Sequence, residues 1–439
     1  MTTNVAPARD GQVHANPLAD GPMHWRQIAA VAVASALNAL DGFDVQAISF
    51  AAPGVAEQFG VDQLELGVIL SFELFGMAIG SILLGNVADR IGRRPTIFGC
   101  LIAMGLGMAL VPLSEAIWHI AILRVFTGLG VGGMLAATNA IVSEVTNDRR
   151  RSLCIAILVV GYPMGAILGG SLSARLLELG DWRLVFLVGA AAAAILLPLT
   201  AAFVPESIGY IAHRGGVGAV ARVNAILERF GKPATAGLAM EDNAPPGRMR
   251  DLFSPALRWI TVLLALGYFT HIISFYFILK WFPKIIVDMG FTQPEAVGVL
   301  VWANVGGACG VIALGLLSSY LNIRTLTLAT LLGSTLSLAL FGQSAANLPT
   351  LTLLAALAGF FTNAAIGGFY SLFGHNFPVS SRAGGTGFAI GIGRGGAIIS
   401  PILAGALFLE NVDLSVVAVV MGTGSLIAMV AVIALRSGR

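Results

Sequence analysis

Charge is what this sequence has least of. Only 11% of its 439 residues are Asp, Glu, Lys or Arg, against ~25% in a soluble domain, while 56% are hydrophobic. So apolar a chain cannot hide its surface in a water-facing globule, which excludes an ordinary soluble fold. Cysteine is scarce too: Cys100, Cys154 and Cys309 lie far apart with no CxxC pair, so neither a metal site nor a disulfide scaffold is expected. A net charge of +2 has no basic bias that would point to nucleic acid. HExxH pairs, a GxSxG elbow in a plausible context and any appended soluble domain are missing, so neither an enzyme nor a cofactor is expected. No cleavable leader is expected either, because residues 1–26 are mostly polar and further apolar blocks follow the first. That segment reads as a disordered cytoplasmic tail.

What is present is a series of long apolar runs. Twelve candidate spans fall at 27–50, 66–87, 96–113, 117–142, 153–177, 183–204, 257–281, 294–318, 324–342, 350–372, 385–408 and 413–435. Each is near the ~20 residues that cross a hydrocarbon core of roughly 30 Å. Helix is forced on them, because an isolated strand in lipid leaves its backbone unpaired. The fold class is therefore an all-α membrane protein with twelve transmembrane helices in two pseudo-symmetric six-helix halves. The bundles are 27–204 and 257–435, joined by a linker at 205–256 that contains Asn243-Ala244-Pro245-Pro246-Gly247, with a short tail at 436–439.

Arginines set the orientation. Arg90, Arg93 and Arg94 follow span two and Arg149, Arg150 and Arg151 follow span four, while 51–66 has no Lys or Arg. Positive loops stay in the cytoplasm, so both termini are expected inside, in a cell inner membrane. Lys280 and Lys284 flank Trp281 on the expected outer side; they read as interfacial anchors, with local attraction of anions as the alternative. A weak internal repeat supports the halves. Gly85 to Arg94 corresponds to Gly315 to Arg324, with only the first Gly and last Arg kept; Glu144, Arg151 and Gly165 correspond to His375, Arg382 and Gly396. Duplicated halves suit alternating access around a site between them.

Ionisable residues inside the spans are functional candidates by default. Asp41 and Asp44, in Asp41-Gly42-Phe43-Asp44, share a helix face roughly 20–27 Å from the helix start. Two close carboxylates in a poorly hydrated place favour a shared or transferable proton; the alternative is that span one ends early and both lie in a loop. Arg124 falls at matching depth, so an Arg–Asp pair is possible, as is snorkelling outwards. Gly128, Gly130, Gly132 and Gly133 after it form a small-residue face for close helix packing. Arg394, set among Gly391, Gly393, Gly395 and Gly396, is at mid-depth with room for a ligand. Its guanidinium suits a carboxylate, from a substrate or from the protein. Glu73 and His271 lie in apolar runs; His271 either relays protons and touches substrate or is hydrogen-bonded between helices. Tyr276, Phe369 and Tyr370 are candidates for stacking on a substrate ring. In Gly85, Asp89, Arg90, Gly92, Arg93 and Arg94, the glycines permit a tight turn and Asp89 can cap the next helix or pair with arginine. With Glu144, such pairs would form a releasable latch. Arg382 is either part of that gate or a topology anchor.

Together these residues resemble the major facilitator superfamily. Gly85-x3-Asp89-Arg90-x-Gly92-Arg93-Arg94 looks like its signature loop, Arg124 with Gly128, Gly130 and Gly132 like its helix-four motif, and Pro205-Glu206-Ser207 like its helix-six end. A narrower resemblance is to the aromatic acid:proton symporter family of the 4-hydroxybenzoate transporter type, carried by Asp41-Gly42-Phe43-Asp44 and Pro53. The run from Gly374-His375-Asn376-Phe377-Pro378 through Arg382 to Arg394 is also similar to it. The resemblance implies the major facilitator fold and import of a benzoate-like acid with protons, in aromatic catabolism. Asp41, Asp44, Arg124, Glu144, Arg382 and Arg394 would be tied to activity. Substrate, protons and the bilayer are the expected partners, and a monomer the expected state. A drug or metabolite antiporter and a membrane sensor are the other readings. Antiporters of the superfamily often carry Gly-Pro-x-x-x-Gly, whereas here Tyr162 precedes Pro163.

Overall fold

The computed structural model describes residues 18, 21–215, 218–235, 237, 249–378 and 381–435. The helices are α1 (Trp25–Phe59), α2 (Gln63–Ile91), α3 (Arg93–Leu110), α4 (Ile117–Val145), α5 (Arg151–Leu177), α6 (Arg183–Phe203), α7 (Ile208–Arg214), α8 (Ala219–Arg229), α9 (Arg258–Asp288), α10 (Gln293–Leu317), α11 (Ile323–Gln343), α12 (Leu348–Asn376), α13 (Arg382–Leu409) and α14 (Leu414–Ala434). Twelve of them, all but α7 and α8, are long and apolar enough to cross a membrane. The protein is thus a multi-pass membrane protein of two six-helix halves, α1–α6 and α9–α14. Asn243 to Gly247, most of the N-terminal tail and residues 436–439 lie outside the described residues.

Several helices outrun the apolar spans. α1 continues past the expected end at 50 through Pro53 and Glu57, and stops where Gly60 takes a left-handed φ of 62°. Asp62 then opens α2 by accepting from the Glu65 amide at 2.8 Å, while Glu65 reaches back to the Asp62 amide. The second half repeats this device: Gly290 is at φ 98°, and Thr292 and Glu295 cap α10 in the same reciprocal way. Polar caps of this kind satisfy backbone groups beyond the apolar span, which hydropathy does not register.

Glycines set how closely the helices cross. A Cβ on Gly42 would run into the Tyr162 backbone, and one on Gly165 into the Ala39 backbone, so α1 and α5 touch main chain to main chain. Gly128 and Gly132 of α4 lie likewise against the Glu73 and Met77 carbonyls of α2. Half of the small-residue face expected after Arg124 is that contact, while Gly130 lies against the Cys100 carbonyl of α3.

The halves meet along α2 with α13, α5 with α10, and α1 with α9 and α10. Ser71 donates to the Ile398 carbonyl at 2.8 Å, and the Gln46 and Asn304 side-chain amides bond reciprocally at 2.9 Å. Gly67 packs on Pro401 and Gly170 on Val301. These contacts all lie towards the ends of the helices remote from the arginine-rich loops. At the opposite, basic end each half carries its own cleft. One of about 320 Å³ lies among Ser81, Gly85, Asp89, Arg93 and Ala137. Its counterpart of about 570 Å³ lies among Ser318, Asn322, Arg324, His375 and Asn376.

Candidate functional site

The charged residues of the spans converge on one place. Asp41 and Asp44 sit inside α1, 1% and 0% exposed, so neither belongs to a loop. Arg124 of α4 donates from Nη1 to Asp44 Oδ1 at 2.7 Å and from Nη2 to the Asp44 carbonyl at 2.8 Å. Nη2 is also 2.5 Å from Glu73 Oε1 of α2. The Phe186 ring of α6 lies 5.6 Å from the guanidinium carbon, as a cation–π neighbour. Arg124 is fully buried and does not snorkel. A guanidinium is suited to this task because its planar fork serves two carboxylates and a carbonyl at once.

Lys280 is a correction to the sequence reading. It is no interfacial anchor, for its side chain is 0% exposed. The ammonium donates to the Val45 carbonyl of α1 and lies 3.4 Å from Glu73 Oε2. α9 packs against α1, so the long stem turns inward and the charge finds its partner on another half. Lys284, four residues on, pairs with exposed Asp288 along the same helix.

Asp44, Glu73, Arg124 and Lys280 therefore form a fully buried cluster of two anions and two cations. Asp41 is the fifth member and breaks the balance. It lies within electrostatic reach of Asp44, and both its carboxyl oxygens are buried without a hydrogen-bond partner. An unpaired carboxylate in so dry a place is costly, and a bound proton removes the charge.

Arg394 lies elsewhere, half-buried on α13. Gly393 and Gly396 pack on Tyr268 and the Phe269 backbone of α9, which brings the arginine's helix close. Among the described residues the guanidinium has no hydrogen-bonded or ion-paired partner. Its field reaches the phenols of Tyr162, Tyr268 and Tyr276. Tyr162 and Tyr268 are polar neighbours that sequence reasoning missed; no periodicity links helices five, nine and thirteen. Tyr268 bonds to the half-exposed Tyr370 at 3.3 Å. Phe369 is instead wholly buried beneath Tyr268 and His271.

His271 is hydrogen-bonded between helices. Its Nε2 donates to the Thr362 carbonyl at 3.0 Å and its Nδ1 accepts from the Ser425 hydroxyl at 2.9 Å. Both ring nitrogens are thereby engaged inside the second half.

At the basic end the loop is held by Glu206. Its Oε1 accepts from the amides of Arg93, Arg94 and Ser207 at 3.0, 3.2 and 2.8 Å. Arg93 pairs with Glu144, which also accepts from Ser207 Oγ at 2.9 Å. The Arg90 carbonyl accepts from Tyr210 of α7 at 3.1 Å. Asp89 is exposed and does not cap α3, whose cap residue is Gly92 at φ 110° with no side-chain bond; the helix start turns away from it and towards Glu206. A Gly85 Cβ would meet nothing within 4 Å, so its small size is not used in this conformation. Arg382 is exposed at the first turn of α13. Arg94 donates to the Ala201 carbonyl near the end of α6 at 2.7 Å, and Arg324 to the Ile433 carbonyl near the end of α14 at 2.8 Å. The one arginine kept in the internal repeat thus does the same work in both halves.

Twelve spanning helices in two like halves, meeting around buried charge, define a membrane transporter rather than an enzyme. The profile of the Major Facilitator Superfamily matches residues 34–344, and the chain belongs to that superfamily. It is 30% identical to the gallate transporter of Pseudomonas putida over 90% of this chain and 88% of that one. It is 29% identical to the 3-(3-hydroxy-phenyl)propionate transporter of Escherichia coli (strain K12), over 91% and 92%. With the 4-hydroxybenzoate transporter of Pseudomonas aeruginosa it shares 30% identity over 90% and 88%. Among solved structures, a D-xylose–proton symporter superposes with a TM-score of 0.70 at 17% identity, covering 91% of this chain and 97% of that one. A bacterial homologue of the lysosomal transporter Spinster, inward-facing and unoccupied, gives 0.67 at 15%, covering 93% and 95%.

Proposed function

We propose that this protein imports an aromatic carboxylate together with protons by alternating access. The observation that carries the proton half is Asp41: a buried carboxylate with no partner beside a cluster whose other charges cancel. Asp41, with Asp44 beside it, holds the transported proton, and Arg124 decides how readily by keeping Asp44 ion-paired. The acid half is carried by Arg394, a cation without a counter-ion among the described residues, whose field reaches the phenols of Tyr162 and Tyr276. The substrate carboxylate takes that place, and Tyr276 with Tyr162 frames the ring. Relatives named for gallate, hydroxyphenylpropionate and 4-hydroxybenzoate support an aromatic acid.

The arginine-rich end faces the cytoplasm of an inner membrane, by the bias of positive loops. Both termini are then inside, and the contacts between halves close the outer side. The Glu206–Arg93–Glu144 assembly belongs to the inner gate, with Asp89 and Arg382 as its free charges in this state. The protein works as a monomer.

Uptake of labelled 4-hydroxybenzoate into proteoliposomes, driven by an acid exterior, tests this. Accumulation above the external level is expected for the wild type, and none for Asp41→Asn. Uptake indifferent to the gradient in both would refute symport.

A further inference from the structure

Lys280 belongs to the second half, yet its ammonium is satisfied entirely by the first: by the Val45 carbonyl of α1 and by Glu73 of α2. The charged groups facing it are Glu73 from α2, Asp44 from α1 and Arg124 from α4. Asp41 and Tyr162 lie within reach of that set. It sits near the end of α9, roughly 12 Å from the helix terminus at 1.5 Å per residue, in the region where the halves touch.

Alternating access parts the halves where they now meet. α9 then withdraws from α1 and α2 and takes the ammonium with it. The first half is left with Asp41, Asp44 and Glu73 against Arg124 alone. Three carboxylates and one guanidinium do not stay buried as such, because uncompensated charge at this depth is expensive.

On the basis of the proton symport proposed above, we propose that Lys280 and the transported proton are alternative counter-charges for the Glu73–Asp44–Asp41 set. When the halves part at this end, Lys280 leaves and a proton from the outer water binds a carboxylate in its stead. When they close, the ammonium returns to Glu73 and Val45 and the set needs one proton fewer; that proton departs to water on the open side, and the one that remains balances the carboxylate still in excess. No covalent bond changes; one positive charge replaces another. Lys280 is thus the coupling residue, acting on the proton through the carboxylates and touching no substrate. Such mutual exclusion is a reciprocal linkage between conformation and proton binding.

The test is purified full-length protein in liposomes, with labelled 4-hydroxybenzoate and two readouts: accumulation under an acid-outside gradient, and counterflow without any gradient. A gradient of about one pH unit supports about tenfold accumulation per proton. Lys280→Gln leaves the carboxylates dependent on a proton in both conformations. It is expected to keep exchanging substrate in counterflow while its accumulation ratio falls to about one, a roughly tenfold loss. Wild-type accumulation in Lys280→Gln overturns the proposal. So does equal loss of counterflow and accumulation in a monodisperse variant, since that makes Lys280 a structural clasp. If Lys280→Gln is not monodisperse, Lys280→Met, which removes the charge and leaves an apolar stem in the buried site, takes its place, with the same expected split and the same overturning results. A wild type that exchanges but never accumulates refutes the symport reading itself and is seen before any variant is made.

Discussion

Arg124 Nη2 is shared between the Asp44 main-chain carbonyl, at 2.8 Å, and the Glu73 carboxylate, at 2.5 Å. One guanidinium thereby ties α4 to α1 and α2 at a depth where no water competes. The Asp44 carbonyl is part of the helix itself, so this bond fixes not only a charge but the position of the α1 backbone. Lys280 repeats the pattern one residue further along, on the Val45 carbonyl.

Replacing Arg124 should therefore destabilise the first half strongly. Arg124→Gln strands the buried Asp44 carboxylate and leaves Glu73 to Lys280 alone, and loss of one partner from a buried pair costs about 3–5 kcal/mol. Arg124→Lys keeps the charge but loses the fork, and is expected to recover only part of this. Thermal unfolding in detergent, followed by a fluorescence-based stability assay, measures both. A melting temperature for Arg124→Gln equal to wild type contradicts the cluster.

Asp41→Asn makes the opposite prediction for stability. Both oxygens of Asp41 lack partners, so no ion pair is broken when its charge is removed. The change is expected to leave stability within about 1 kcal/mol of wild type or to raise it, while gradient-driven accumulation is abolished. Asp44→Asn loses transport as well, but also weakens the Arg124 pair and lowers the melting point. The contrast between two aspartates one helical turn apart is the informative result.

Much of this was legible in the sequence, and the residues that were not share a cause. Asp41, Asp44, Arg124 and Glu73 announce themselves because any ionisable group in an apolar run must be accounted for. Lys280 lies eight residues before the end of α9 and beside a tryptophan, a pattern that hydropathy reads as an interfacial anchor. Only the packing of α9 on α1 shows that its ammonium points inward. Glu206 was visible as part of a motif, but its task, taking three amides at the turn into α3, depends on where α6 ends. Asp89 could by spacing cap α3 or pair with arginine, yet Gly92 at positive φ turns the helix start away from it. The partner of His271 was not legible either, because the Ser425 hydroxyl comes from a helix more than a hundred residues distant.

Arg394 yields a specificity prediction. A guanidinium holds a carboxylate by two parallel charge-assisted bonds, and a hydrogen bond to a charged group contributes about 1.5–3 kcal/mol. Arg394→Gln is expected to raise the half-saturating concentration of 4-hydroxybenzoate roughly 10- to 100-fold, by the same energies. Arg394→Lys falls between, because a point charge lacks the fork. A competition panel of benzoate, hydroxybenzoates and their uncharged amides checks it. In the wild type only the acids compete, and in Arg394→Gln the acids lose that advantage. Equal inhibition by amides and acids in the wild type would place the carboxylate elsewhere.

The last prediction concerns the turn into α3. Gly92 holds φ at 110°, a conformation that side-chain-bearing residues rarely adopt, and a Cβ there would collide with the Glu206 carboxylate and crowd the Tyr210 ring. Gly92→Ala therefore costs about 1–3 kcal/mol of backbone strain and also displaces the acceptor of the Arg93 and Arg94 amides. Glu206→Gln removes the charge without the strain, leaving an amide oxygen to accept the same bonds. If the turn itself is what positions the gate, Gly92→Ala loses transport and melts earlier, while Glu206→Gln keeps its fold and is slowed. If the carboxylate charge is what matters, the two variants lose transport alike and only the first melts early. Melting curves and initial uptake rates on the same two preparations separate these outcomes.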